Sequence, residues 1–322
     1  MSTLDFFDVE VRSMGREADG VLSLALQHPL GDPLPAWEPG AHIDVLLPNG
    51  LLRQYSLCSE PGDPRWRVAV LHEKAGRGGS AFVHEELRPG SKVQVRAPRN
   101  NFSLAPAAEY LFIAGGIGIT PVLPMVRAAA ASGAPWRLVY LGRSRRSMAF
   151  LGELPDGGTV TIHADDEGGR FPLASLLGAA GAQTHLYVCG PGPLLGAVQE
   201  LTAPWDGSRV HFERFAADPA AASPAAGPGE GPDGGSSFDV ELADGAIVEV
   251  PAGTTILEAL EAAGRFPLSS CREGICGTCE TPVVSGEIDH RDSLLSGDER
   301  AAGDTMMICV SRCRGQRLVL DL

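Results

Sequence analysis

Apolar and polar residues alternate with a period of two through the first hundred positions of the chain. FFDVEVRS, GVLSLALQH, AHIDVLLPN, LLRQYSL, WRVAVLH and KVQVRAP each follow this pattern, and Gly, Pro or Asn separates one run from the next. Successive side chains of a strand face opposite sides of a sheet, so residues 1–104 are predicted to form an antiparallel β-barrel. One short helix is expected over residues 80–87, with Ser80 as its N-cap.

The period changes near residue 105. YLFIA, WRLVYL, TVTIH, THLYVC and RVHFERF are short β-type runs, and apolar stretches of helical length such as VLPMVRAAAA and LLGAVQEL lie between them. Residues 105–216 are therefore predicted to form an α/β domain, a parallel sheet with helices on both faces. The next stretch, ADPAAASPAAGPGEGPDGGSS at 217–237, has no large apolar side chain. It cannot offset its ordering entropy by burial and reads as a flexible linker. Residues 238–322 then form a third, α+β domain. FDVELAD and AIVEVPA suggest a hairpin, TTILEALEAAG a capped helix ending at Gly264, and RLVLDL a closing strand.

Composition supports this multi-domain plan: 322 residues, 44 % hydrophobic and 20 % charged, suffice for two or three packed cores. The net charge of −14 argues against nucleic acid, whose phosphates call for basic patches. From Phe238 onward 7 basic residues face 15 acidic ones, so a basic-faced protein is the expected partner of this segment. No secretory signal pattern is present, and no run approaches the roughly 20 apolar residues of a membrane helix. A cytoplasmic monomer without membrane contact is expected. In that reducing setting seven cysteines, an odd number, argue against a disulfide framework and leave thiol chemistry or metal.

Cys271, Cys276 and Cys279 have the spacing C-x4-C-x2-C, and Cys309 follows 29 residues later. This is the plant-type pattern of four thiolates around a [2Fe-2S] cluster. A loop wrapping a cluster must turn tightly and aim backbone N–H groups at sulfur, which Gly274 and Gly277 permit. Arg272 and the Thr278 hydroxyl are placed to offset negative charge. Structural zinc is the alternative, although its sites favour paired C-x2-C knuckles. Cys58 and Cys313 read as small hydrophobes.

Two further turns carry glycine. AGGIGITP at 114–121 lies between a predicted strand and a helix that Pro121 starts, where free N–H groups and the helix dipole suit a phosphate. Cys189-Gly190-Pro191 ends another strand of the same sheet. Both turns fall at the carboxyl edge, where ligands of parallel sheets bind. In the barrel, RQYSL places a cation, an aromatic ring and a hydroxyl at Arg53, Tyr55 and Ser56; a mixed-polarity edge strand is the alternative.

The cluster loop and the MMICVSRCRG segment resemble the plant-type ferredoxin family, a β-grasp fold. R-x-Y-S, GGIGITP and C-G-P resemble the flavin and nucleotide motifs of the ferredoxin-NADP reductase superfamily. Their order, together with GRGGS at 76–80, resembles its phthalate dioxygenase reductase and vanillate O-demethylase reductase branch. The resemblance implies that Arg53, Gly78, Gly79 and Ser80 bind the phosphate of FMN, that Tyr55 packs on its ring and that Ser56 faces N5. It implies that Gly115, Gly116, Gly118 and Thr120 cradle NADH, with Cys189 beside the nicotinamide and Phe215 near the flavin. Cys271, Cys276, Cys279 and Cys309 would hold the cluster.

Nicotinamide gives up two electrons together, whereas an iron–sulfur cluster accepts one, and a flavin converts between them. The implied path ends at an external acceptor, a terminal oxygenase of Rieske type or, alternatively, a cytochrome P450. A flavin oxidoreductase regulated by a redox-sensing cluster module is the other class of reading. Arg143, Arg145 and Arg146 follow the second strand of the α/β domain and keep NADPH open as donor.

Overall fold

The computed structural model describes residues 6–74, 76–216 and 236–322. The chain divides into two compact units, Met1–Arg214 and Phe215–Leu322. The predicted linker falls almost entirely on 217–235, outside the described residues.

The first unit begins with six strands: β1 (Phe7–Ala18), β2 (Val21–Gln27), β3 (His42–Leu46), β4 (Leu52–Ser56), β5 (Trp66–Leu71) and β6 (Lys92–Val95). All pairings are antiparallel, in the order β4-β3-β6-β1-β2-β5. The two edge strands meet through a bridge between Leu57 and Val68, which rolls the sheet into the expected barrel. Its apolar set points inward: Val9, Val11, Leu24, Leu26, Ile43, Val45, Trp66, Val68, Val93 and Val95 are all buried. A charged group lies in the same strand, where the buried Asp44 faces Arg96 at 3.2 Å and Arg99 at 3.0 Å and accepts from Gln54 Nε2 at 2.8 Å.

Helix α1 (Gly79–Glu85) differs from expectation at its start. Gly78, in the left-handed region at φ 81°, precedes the helix, and Ser80 lies inside its first turn, where Oγ accepts from Glu73 N at 3.0 Å. The serine staples the loop to the end of β5 instead of capping the helix.

Five parallel strands follow: β7 (Glu109–Gly115), β8 (Trp136–Gly142), β9 (Thr159–Ala164), β10 (Thr184–Cys189) and β11 (Val210–Glu213), ordered β11-β10-β7-β8-β9. Alternate side chains of β7 serve different layers. Tyr110, Phe112 and Ala114 pack with Val122, Leu123 and Val126 of α2 (Ile119–Ser132). Leu111 and Ile113 join Leu177 of α4 (Leu173–Gly178) and Leu195 and Val198 of α5 (Gly192–Thr202), α3 (Asp165–Gly168) being a single turn after β9. Helices thus cover both faces. A 3-10 turn, Gly116–Gly118, precedes α2, so the helix begins two residues before Pro121, which occupies its first turn where no amide is needed.

Barrel and sheet share a core. Val21, Cys58 and Ala69 of the barrel belong to the same packed cluster as Phe112, Ala114, Ile119 and Cys189. Polar contacts reinforce the seam: Glu153 accepts from Arg67 at 2.6 Å and from Arg127 at 2.9 Å, and Arg127 also meets Glu60 at 2.9 Å.

The second unit carries β12 (Phe238–Glu241), β13 (Ile247–Val250), β14 (Glu280–Ser285), β16 (Thr305–Met307) and β18 (Arg317–Leu320) in one sheet, ordered β13-β12-β18-β14-β16, with β12 and β18 parallel. Helix α6 (Ile256–Ala262) buries Ile256, Leu257 and Leu260 against it. Thr255 and Glu258 form a capping box at its start, and Gly264 at φ 76° follows its end. A small ladder of β15 (Ile288–Asp289) with β17 (Arg312–Cys313), and α7 (Gly297–Ala302), complete the β-grasp.

Candidate functional site

Arg53 on β4 lies beneath the GRGGS loop. Its Nη2 donates to the Arg77 carbonyl at 2.9 Å, and a Cβ added to Gly79 would fall 2.3 Å from its Nε. A side chain at Gly79 would therefore push the arginine out of this position. Tyr55 is half-buried, and burial pushes its phenol up to about 12 despite the opposing charge of Arg53. Ser56 is buried, and its Oγ has no hydrogen-bond partner among the described residues. Opposite it in the β3–β4 ladder stands His42, whose Nε2 is likewise buried without a partner. Burial, followed by the charge of Arg99, lowers the His42 pKa to about 4, so the ring is neutral near pH 7.

The two glycine turns touch. A Cβ on Gly190 would sit 3.0 Å from Gly115 Cα, and one on Gly118 would sit 2.3 Å from the Cys189 carbonyl oxygen. Only hydrogen fits at these contacts, so the ends of β7 and β10 close into one smooth floor. Gly116, at φ 55°, has open space above its Cα and offers backbone to a ligand. Thr120 turns inward, its Oγ1 donating to the Ile117 carbonyl at 3.0 Å, and so braces the turn.

Cys189 is fully buried; desolvation, then the neighbouring Glu213, raises its thiol pKa well above the ordinary value. Glu213 is level with it on β11. Burial pushes the Glu213 carboxyl up to about 8, and Oε2 has no partner among the described residues. The motifs did not point to this residue, because its meeting with Cys189 depends on β10 and β11 being neighbours. Its signal was a lone acid inside the apolar run VHFERF. Phe215 lies two residues beyond β11, 42 % exposed, at the boundary of the two units.

In the second unit the four cysteines converge. Cys271 is drawn toward thiolate by its thiol neighbours Cys276 and Cys309, and Cys279 by Cys309, while Cys276 and Cys309 are held correspondingly as thiols. Backbone N–H groups reinforce the pull: Glu273 N donates to Cys271 Sγ at 3.3 Å, joined by Ile275. Gly274 and Gly277 supply left-handed turns at φ 68° and 73°. Thr278 Oγ1 lies 3.3 Å from Cys276 Sγ, whereas the Arg272 guanidinium is taken by Glu261 at 2.5 Å.

These sulfurs fit an iron–sulfur group. Among the described residues no three His, Cys, Asp or Glu side chains surround one ion position. The thiols adjoin in a chain, Cys276 beside Cys271, Cys271 beside Cys309 and Cys309 beside Cys279. Four cysteine thiols, three on one tight loop and one on a separate segment, are the donor set that a plant-type [2Fe-2S] cluster takes. Cys58, by contrast, donates its thiol to the Arg67 carbonyl at 3.3 Å and is pushed by burial up to about 12, as a core thiol should be.

A nucleotide floor and a flavin-type strand in one unit, and a nest of thiols on the same chain, define a nucleotide-dependent iron–sulfur oxidoreductase. The profile of the 2Fe-2S iron-sulfur cluster binding domain matches residues 241–314. The "Phenoxybenzoate dioxygenase subunit beta" of Ectopseudomonas oleovorans is 43 % identical over 326 residues, covering 100 % of this chain and 99 % of that protein. The solved structure of phthalate dioxygenase reductase, described as modular for electron transfer from pyridine nucleotides to [2Fe-2S], superposes with a TM-score of 0.70 at 38 % identity, covering 98 % of each chain. An intact type IV self-sufficient cytochrome P450 monooxygenase matches at 44 % identity with a TM-score of 0.86, over 98 % of this chain but only 41 % of that one. The chain belongs to the phthalate dioxygenase reductase family. No helix among the described residues is long and apolar enough to cross a membrane.

Proposed function

We infer that this protein is the reductase component of an oxygenase system, carrying electrons from NADH through FMN and a [2Fe-2S] cluster to a Rieske-type oxygenase. The observation that carries this reading is the convergence of four thiols on a chain whose other unit carries both the Cys189 floor and the Arg53 loop. Arg53 with Gly78, Gly79 and Ser80 holds the FMN phosphate, Tyr55 packs on the ring, and Ser56 offers it a hydroxyl. Gly115, Gly116 and Gly118 admit the dinucleotide, and Thr120 braces their turn. Cys189 and Glu213 form a dry, neutral wall for the nicotinamide, with the Glu213 proton kept beside it. Cys271, Cys276, Cys279 and Cys309 bind the irons. When bound, the flavin accepts an electron pair and releases single electrons to the cluster.

NADH is favoured because two of the arginines that could receive a 2′-phosphate are already paired, Arg145 with Glu167 at 2.9 Å and Arg146 with Asp19 at 3.1 Å. A protein acceptor suits the acidic C-terminal segment, where Phe266, 79 % exposed, lies five residues before Cys271. We place the domain limits at 104, 216 and 237, and the protein, as a monomer, in the cytoplasm. The match to a self-sufficient P450 supports a second reading in which the acceptor is a P450.

The test is anaerobic reduction by NADH followed by mixing with the oxygenase component of the phenoxybenzoate dioxygenase system. Re-oxidation of the cluster by that component supports the Rieske reading. Re-oxidation only by a P450 transfers the reading to the second acceptor, and failure with both overturns it.

A further inference from the structure

Behind the cluster loop, a turn at residues 290–295 is organised by one carboxylate. Asp292 is 1 % exposed. Its Oδ2 accepts from Leu294 N at 3.1 Å and Leu295 N at 2.8 Å. The Arg300 guanidinium lies 3.6 Å from the same oxygen and donates to the Asp292 carbonyl at 2.5 Å. Oδ1 faces His290 Nδ1 at 3.6 Å, too far for a hydrogen bond, and has no other partner among the described residues.

This turn grips the cluster loop. Ser293 N donates to the Gly274 carbonyl at 2.9 Å. A Cβ on Gly274 would come within 3.0 Å of Asp292 Cα and 2.6 Å of Val310 Cγ2. Gly274 lies between Cys271 and Cys276, and Val310 follows Cys309, so Asp292 is packed against the loop that carries two of the thiols, and that loop in turn against the segment of Cys309.

Holding two backbone N–H groups requires only a neutral acceptor, and burying a charge costs more than burying an amide or hydroxyl. The Arg300 side chain is 38 % exposed and compensates the charge in part. What the carboxylate adds beyond shape is a negative potential at the loop, little screened because it is buried. Cluster potentials respond to net charge, hydrogen bonds to sulfur and exposure.

We propose that Asp292 is a positioning residue that also sets the electron affinity of the cluster: it fixes the turn on Gly274, and its buried charge, opposed by Arg300, lowers the midpoint potential. The inference rests on the four cysteines holding a two-iron cluster.

The experiment is a spectroelectrochemical titration of the cluster in the full-length wild type, Asp292→Asn and Arg300→Gln, with iron content measured alongside. Asn keeps an oxygen for Leu294 and Leu295 but removes the charge, so its midpoint moves up; Gln leaves the charge uncompensated, so its midpoint moves down. Opposite shifts at unchanged iron content support the proposal. Unmoved potentials, or shifts of the same sign, overturn it. Should Asp292→Asn lose iron, Arg300→Gln decides alone: a lower midpoint supports the proposal, and an unmoved or higher one overturns it. A wild type without a two-iron spectrum sinks the function reading along with it, whereas a normal spectrum with unmoved potentials sinks this inference only.

Discussion

Cys189 ends a central parallel strand, where burial and the adjacent Glu213 hold its thiol far from ionisation; in the second unit, Cys271 and Cys279 are drawn toward thiolate by the neighbouring thiols Cys276 and Cys309, which keep their protons until a metal displaces them, and by backbone N–H groups. The side chain is the same in both places. What differs is the company: a desolvated floor facing a carboxyl in one unit, and a concentration of hydrogen-bond donors in the other. A thiol beside a nicotinamide is useful when it is small and neutral, whereas a metal ligand must give up its proton. The chain thus separates steric from coordinating use of cysteine.

The largest effect expected is at the nest. Cys276→Ser should remove the cluster absorption and cut electron delivery to an acceptor protein by more than about a hundredfold, while reduction of a dye that accepts directly from flavin continues. Loss of both activities together would break the contrast between the units. Cys189→Ala should do the reverse, leaving iron content intact while slowing NADH oxidation about tenfold, since small displacements of reacting groups are costly. Gly118→Ala sharpens the same side: its Cβ meets the Cys189 carbonyl at 2.3 Å, so the nucleotide turn must shift, raising the KM for NADH or costing about 1–3 kcal/mol of stability.

Glu213→Gln tests the neutral wall through pH. The folded carboxyl titrates at about 8 against an ordinary 4.5, so the proton it holds favours the fold below pH 4.5, and that contribution is lost as pH rises through 8. The variant should match wild-type thermal stability near pH 4.5 and exceed it at pH 8, by at most a few kcal/mol at about 1.4 per unit. A rate profile for NADH oxidation should also lose its limb near pH 8. The smallest effect belongs to Cys58→Ala, which should cost on the order of 1 kcal/mol in denaturant and leave both electron transfers unchanged.

Legibility in the sequence followed the range of the interactions. The strands were readable because alternation is a local property, and the cluster loop because three of its ligands lie within nine positions and its turns need glycine at Gly274 and Gly277. The role of Gly118 was read as phosphate access, while the contact with Cys189 that also demands it lies 71 residues away. Glu213 was passed over because its significance exists only once β11 pairs with β10. The seam around Glu153 joins it to Arg67 across 86 positions. Ser80 was misread as a cap because its hydroxyl prefers the Glu73 amide, which folding brings beside it. Arg272 looked free to relieve cluster charge until α6 brought Glu261 to it.

The measurement that tests the central claim most directly is an ultraviolet–visible spectrum of the freshly purified full-length protein, followed by anaerobic titration with NADH and then NADPH. The account predicts flavin bands over broad thiolate-to-iron absorption, both bleached by NADH at lower concentration than by NADPH. A protein that stays colourless after iron–sulfur and flavin reconstitution, or one whose flavin bleaches while the iron absorption persists, would contradict it.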